Sequence, residues 1–241
     1  VVASLFTACA LFLFAVALYG GTVLMIVAAL PLFLFPRGGV RWAMRMHARY
    51  IRWALRWIVG ARLEFRGLEH APQGRALVAG KHQSMLDTIA PFLAMPDPCF
   101  TLKAELARLP LYGWVAAKTR MIVVDREAGA AALRRLLADA RDRLADERQI
   151  IIFPEGTRAA PGAPPDYKPG VAALYRELGG PCHLLATNAG TVWPAKGIGF
   201  RPGLVVYAFL PPIPPGLKRA EFSRELQARL EAASTALLPA Q

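Results

Sequence analysis

His82 and Asp87 stand five positions apart in KHQSMLD, residues 81–87, directly after the apolar run ALVAG at 76–80. An imidazole takes a proton from a hydroxyl when its second ring nitrogen donates to a carboxylate, which holds the tautomer and stabilises the imidazolium that forms. The pair reads as a general base and its orienting acid. The competing reading is structural, with Asp87 capping a helix and His82 packed at a strand end. A second stretch, QIIIFPEGTR at 149–158, places Glu155, Gly156, Thr157 and Arg158 after another apolar run. Glycine lets a ligand approach the backbone, threonine offers a hydroxyl, and arginine makes a forked contact with phosphate oxygens. Here the competing reading is a tight turn followed by an arginine.

Reactive groups in an α/β sheet collect where strands end and loops begin, so the surrounding elements decide what these residues can reach. Short apolar runs predict strands at 61–67, 76–80, 100–104, 121–125, 149–153, 182–187 and 204–210. Helical stretches lie between them, notably 129–147, which has the apolar spacing of a crossover helix, and 221–238 closes the chain as an amphipathic helix. Strands alternating with helices, several of them wholly apolar, predict an α/β domain over 61–241 with a mainly parallel central sheet flanked by helices. Residues 159–166 and 211–216 read as loops within that domain.

Residues 1–60 have a different character. Residues 1–35 carry no Asp, Glu, Lys, Arg or His, a run longer than the ~20 residues that span a bilayer. Gly20-Gly21 and Pro31 interrupt it, which leaves two geometries open: one long tilted or kinked helix, or a helical hairpin dipping into one leaflet. Next, the arginines at 41, 45, 49, 52 and 56 fall within an arc of about 80° at helical spacing, beside Trp42, Trp53 and Trp57. That makeup suits a helix in the membrane interface, and the alternative is a basic helix packed on the protein's own domain. Of the net charge of +12, seven arginines before the first acid, Glu64, supply +7. Positive charge after an apolar segment places that side in the cytoplasm, at the inner membrane, and an apolar anchor directly upstream argues against a nucleic-acid-binding arm. Hydrophobic residues at 55% and charged residues at 19% agree with membrane association. The three cysteines, 9, 99 and 182, show neither disulfide nor zinc spacing, so no metal site is expected.

KHQSMLD and FPEGTR together, in this order, resemble the H-x-x-x-x-D and substrate-binding motifs of the glycerolipid acyltransferase family, the 1-acylglycerol-3-phosphate acyltransferases in particular. The likeness extends more loosely over about 60–210, where TLKAEL contains Lys103 and VVDR ends in Arg126. Arg120 stands where the family has a glycine, and Leu184 where it has a proline. The resemblance implies transfer of a fatty acyl group from acyl-CoA or acyl carrier protein to the free hydroxyl of 1-acylglycerol 3-phosphate, giving phosphatidate, with no further cofactor. It implies His82 as base and Asp87 as its orienting group. Arg158, Arg126, Lys103 and Lys168 would bind the acceptor's phosphate, in a site shaped by Glu155, Gly156 and Thr157. Another acceptor, such as a lyso-aminolipid or glycerol 3-phosphate, and a non-catalytic lipid-binding protein of the same fold are the alternatives.

The remaining candidates carry less. His183 reads as a core or strand-edge residue, and His47 as meeting solvent or headgroups from the basic helix. Asp125 reads either as the partner of Arg126 or as a strand-end cap. Tyr112, Trp114 and Trp193 read as core aromatics, with an acyl-pocket lining as the other possibility.

Overall fold

The computed structural model describes residues 2–125, 128–195 and 199–239, with the backbone alone for residues 2–11. The apolar start forms one uninterrupted helix, α1 (Val2–Ala29), and the 3₁₀ turn Leu30–Leu34, which contains Pro31, ends it. Helix α2 (Gly38–Ala54) follows, is extended by one π turn, Leu55–Val59, and stops at Gly60 in a left-handed conformation. Gly20-Gly21 does not break α1. A Cβ at Gly21 would overlap the Tyr50 ring, whose hydroxyl donates to the Ala17 carbonyl at 2.8 Å. Glycine here lets two helices touch. Since Ala17 meets Tyr50, Thr22 meets His47 and Leu32 meets Gly39, the pair is an antiparallel hairpin.

Seven strands follow: β1 (Ala61–Arg66), β2 (Ala76–Gly80), β3 (Pro98–Lys103), β4 (Ile122–Val124), β5 (Gln149–Ile152), β6 (Cys182–Thr187) and β7 (Gly203–Ile213). They form one sheet in the order β1-β7-β6-β2-β5-β3-β4, parallel at every pairing except β6 with β7. The expected mainly parallel sheet is present, with β1 and β7 running against the other five. Strands β2 and β5 are buried at every position, as the apolar runs ALVAG and III require, and the buried Gln149 that opens β5 is hydrogen-bonded through its side chain to Gly74 and Asp97. Helices α3 (Ala104–Ala107), α4 (Tyr112–Lys118), α5 (Gly129–Ala145), α6 (Gly170–Leu178) and α7 (Arg219–Ala236) flank the sheet.

Three expectations are adjusted. The segment at 211–216 is not wholly loop, because β7 continues to Ile213; β1 pairs with it only as far as Ala208, and the pairing with β6 is irregular near Cys182, so Pro211 and Pro212 fit there. The basic helix does not keep all its arginines for solvent. Arg37 and Arg41 pair with the largely buried Asp97 at 2.6 and 3.2 Å, and Arg45 donates to the carbonyls of Phe92, Met95 and Pro96, docking α2 on the sheet domain. Arg49, Arg52, Arg56 and the three tryptophans of this stretch are exposed. Finally, His47 turns inward to Thr22, 2.9 Å from its hydroxyl. Of the other aromatics, Trp193 packs in the core against Phe14 and Phe200, while Trp114 is exposed.

Candidate active site

Strand β2 ends at Gly80, and Ser84 caps a single 3₁₀ turn, Met85–Thr88, by accepting from the Leu86 amide. The chain thereby folds back so that Asp87 faces the backbone that precedes it. Asp87 Oδ2 accepts from the amides of Gln83 and Ser84 at 2.6 and 2.7 Å, and His82 Nδ1 lies 3.0 Å from the same oxygen. Capping and orienting the imidazole are thus one arrangement, and the two readings of Asp87 from sequence do not compete. The His82 ring stacks on Phe153 with centroids 4.1 Å apart. With Nδ1 on the carboxylate, Nε2 has no hydrogen-bond partner among the described residues, and His82 lines a cavity of about 790 Å³.

The loop after β5 meets this turn through its backbone. Gly156, at φ 68°, closes a turn in which its amide donates to the Phe153 carbonyl at 2.9 Å. Glu155 Oε2 accepts from the His82 amide at 3.0 Å, and the Ala159 amide donates to the His82 carbonyl at 2.8 Å. The two motifs therefore hold one another on either side of His82. The other oxygen of Glu155 accepts from Lys81 Nζ, which also donates to Glu231 on α7 at 2.8 Å; Glu231 in turn accepts from Tyr167 at 2.8 Å. Burial and the neighbouring Glu231 push the Tyr167 hydroxyl well above its ordinary range, so it stays a donor.

The cavity is lined by His82, Lys103, Gly156, Thr157 and Arg158 together with apolar side chains of α1 and α2. Tyr112 lines it as well, as does His47. Glu155 does not reach it: the carboxylate is buried beneath the loop and braces His82 and Lys81. Lys168 is likewise apart. Its ammonium pairs with Asp166 at 2.6 Å, and it lines a second cavity, of about 770 Å³, beneath α5 and α6. Arg126 lies outside the described residues. His183 behaves as expected of a strand-edge residue, with Nδ1 2.9 Å from the His70 carbonyl.

The two departures from the family pattern are also placed. Arg120 adopts φ 54°, the left-handed backbone that a glycine would take without cost, and its guanidinium bridges Asp142 and Asp146 while its carbonyl accepts from Arg143 and Arg148. Leu184 is fully buried in β6, paired with Ala79 and Leu210. Neither residue lines the His82 cavity.

Sequence reasoning missed Tyr207 and Glu231. Tyr207, fully buried in β7, donates to Asp87 Oδ1 at 2.8 Å. A hydroxyl within the apolar run LVVYAFL needs a buried partner, which was the available signal. Nothing in the sequence pointed from α7 to Lys81.

Comparison with known proteins identifies relatives of this chain. A family model for acyltransferases matches residues 62–188. The 1-acyl-sn-glycerol-3-phosphate acyltransferase of Pseudomonas aeruginosa is 33% identical over 195 residues, covering 81% of this chain and 75% of that protein. The enzyme of the same name from Helicobacter pylori is 38% identical over 92 residues, 37% of this chain and 38% of its own length. In fold, the crystal structure of the 1-acyl-sn-glycerophosphate acyltransferase PlsC from Thermotoga maritima is similar over 98% of this chain and 97% of that one, with a TM-score of 0.74 at 20% identity. This chain belongs to the acyltransferase family.

Proposed function

We propose that this chain is a membrane-bound 1-acylglycerol-3-phosphate acyltransferase that takes its acyl group from an acyl thioester, acyl-CoA or acyl carrier protein, and releases phosphatidate. The observation that carries the reading is one cavity lined by a carboxylate-held imidazole, His82, and by Arg158 and Lys103. His82 Nε2 removes the proton from the acceptor hydroxyl as its oxygen attacks the thioester carbonyl. The tetrahedral intermediate then collapses, the carbon–sulfur bond breaks, and the thiolate recovers the proton from the imidazolium. A thioester is already activated, so the reaction needs alignment and proton transfer and no metal. Arg158 and Lys103 are the groups for the acceptor's phosphate, with Gly156 and Thr157 shaping that site and Arg126 assigned to it from the motif.

Both acceptor and product live in a bilayer, and Phe12–Leu34 is long and apolar enough to cross one. Its inner face is occupied: Phe14 packs on Trp193 and Phe200, and Leu18 is buried. The unbroken α1 rules out a hairpin within residues 1–35; a helix committed to the domain along one side favours instead the α1–α2 pair dipping into the cytoplasmic leaflet, with Trp42, Trp53 and Trp57 at headgroup depth. Leu13 and Leu24 are 57% and 68% exposed. Replacing both with Glu should move the protein from the membrane pellet to the supernatant without lowering its Tm, and undiminished pelleting would remove the anchor role from this face.

The activity is tested by offering the purified protein acyl-CoA and a panel of lysolipids, following thiol release and identifying products by mass spectrometry. Lysophosphatidate should be the preferred acceptor. Preference for a lyso-aminolipid or glycerol 3-phosphate would change the substrate, and no acceptor-dependent release with acyl-CoA or acyl carrier protein would leave a lipid-binding protein.

A further inference from the structure

Asp87 divides its acceptor capacity unevenly. Oδ2 receives the amides of Gln83 and Ser84 and the His82 ring, whereas Oδ1 has a single partner among the described residues, the Tyr207 hydroxyl at 2.8 Å. Asp87 is 1% exposed and Tyr207 0%, so no bulk water substitutes for that donor. Tyr207 reaches the turn from the far part of the sheet. It sits in β7, paired with Phe65 of β1 and Thr187 of β6, and its ring stacks on Phe65. The β6–β7 pairing, antiparallel in an otherwise parallel sheet, sets the register that brings its hydroxyl to Asp87.

We infer that Tyr207 is a positioning residue for the base: by donating to Asp87 Oδ1 it fixes the plane of the carboxylate and draws negative charge away from the oxygen that faces His82. Burial, and then the adjacent Asp87, push the phenol far above its ordinary range, so the hydroxyl remains protonated wherever the enzyme works. A carboxylate with one donor fewer is a stronger attractor of the imidazolium. Loss of the hydroxyl therefore has two consequences: poorer alignment of the ring, which lowers kcat, and a base that gives up its proton less readily. Among the described residues, the ionisable groups around His82 besides Asp87 are Lys81, Glu155, Arg158, Lys103, Glu105, His47, Tyr19 and Tyr112. None of them is bonded to Tyr207, so a change at 207 acts on the imidazole through Asp87.

The inference rests on His82 being the base, and the experiment separates the two. Tyr207→Phe keeps the ring packed on Phe65 and removes the oxygen alone. We expect kcat to fall about tenfold with KM for both substrates within twofold, and the acid limb of the pH–rate profile to move up by roughly 0.5–1 pH unit. Incorporating 3-fluorotyrosine at 207, a stronger donor of nearly the same shape, should move that limb down and keeps the test available if the Phe variant does not fold. An acid limb that stays at the wild-type pH with fluorotyrosine, or in a folded Phe variant, would reduce Tyr207 to a packing residue, even if Tm fell. Full activity of His82→Ala would instead overturn the reading of the base itself.

Discussion

The turn after β2 and the loop after β5 meet at the same cavity with opposite electrostatic states. Around the imidazole, Asp87 is buried and holds four donors, and Glu155 grips the His82 backbone from below. Elsewhere in the cavity lining, Thr157, Arg158 and Lys103 are exposed, and neither Arg158 nor Lys103 has a hydrogen-bonded or ion-paired partner among the described residues. By contrast Arg37, Arg41, Arg120 and Lys81 each have a carboxylate of this chain. A base must be held in one geometry before the substrate arrives, because misplacement costs rate steeply. Cations that recognise an anion are better left unneutralised until it binds. Under the proposed function, the difference teaches that the chain builds the proton-transfer half of the site itself and leaves the charge-matching half to the substrate.

Two substitutions break that comparison from its two ends. His82→Ala removes the proton acceptor, and general-base catalysis is worth about 10²–10⁴-fold. Activity should fall by that factor while Tm holds, because the ring is partly exposed to the cavity and Asp87 keeps its backbone donors. A variant retaining more than a tenth of the wild-type rate would remove the imidazole from the chemistry. Arg158→Ala deletes binding present in ground and transition state alike, so it should raise KM for the phosphate-bearing acceptor about 10–100-fold with kcat nearly unchanged. A fall in kcat with KM intact would mean that Arg158 meets charge developing on the reacting carbonyl, and the two halves of the site would no longer be distinct.

How far this arrangement could be read beforehand depended on distance along the chain. All seven strands were legible, because β1 alternates apolar with charged residues and the others are built on short apolar runs, and the His82–Asp87 contact was legible because one tight turn spans it. The family motifs supplied the pairing of that turn with the loop after β5, across more than 60 residues. Tyr207 was not found, since its link to Asp87 spans 120 residues and depends on the antiparallel register of β6 and β7. His47 was misread for a related reason. Helical spacing puts it on the basic helix, but only the fold back of α1, with Thr22 opposite, turns that position into the cavity. Arg41 and Arg45 show the same limit: a stripe of arginines at helical spacing looks alike whether it faces phosphates or the buried Asp97 and the carbonyls beside it.

Lys168 gives the smallest effect and the sharpest contrast with Arg158, its neighbour ten residues earlier in sequence. Both follow β5, both carry a positive charge, and the resemblance to the family assigns both to phosphate. The loop between them separates their surroundings. Arg158 lines the His82 cavity, whereas the Lys168 amide donates to the Pro154 carbonyl at 2.7 Å and its side chain lines the cavity beside α5 and α6. There its ammonium is matched by Asp166, with both side chains more than half exposed, a pair that in water contributes about 0–1 kcal/mol. Removing it neither uncovers a buried charge nor takes a cation from the His82 cavity. Lys168→Ala should leave KM for the acceptor within twofold and Tm within a degree or two, against the 10–100-fold expected at Arg158. Should acceptor kinetics show a comparable rise, the loop between Pro154 and Lys168 would have to carry the ammonium around Gly156 when substrate binds, and the phosphate would be gripped from both cavities.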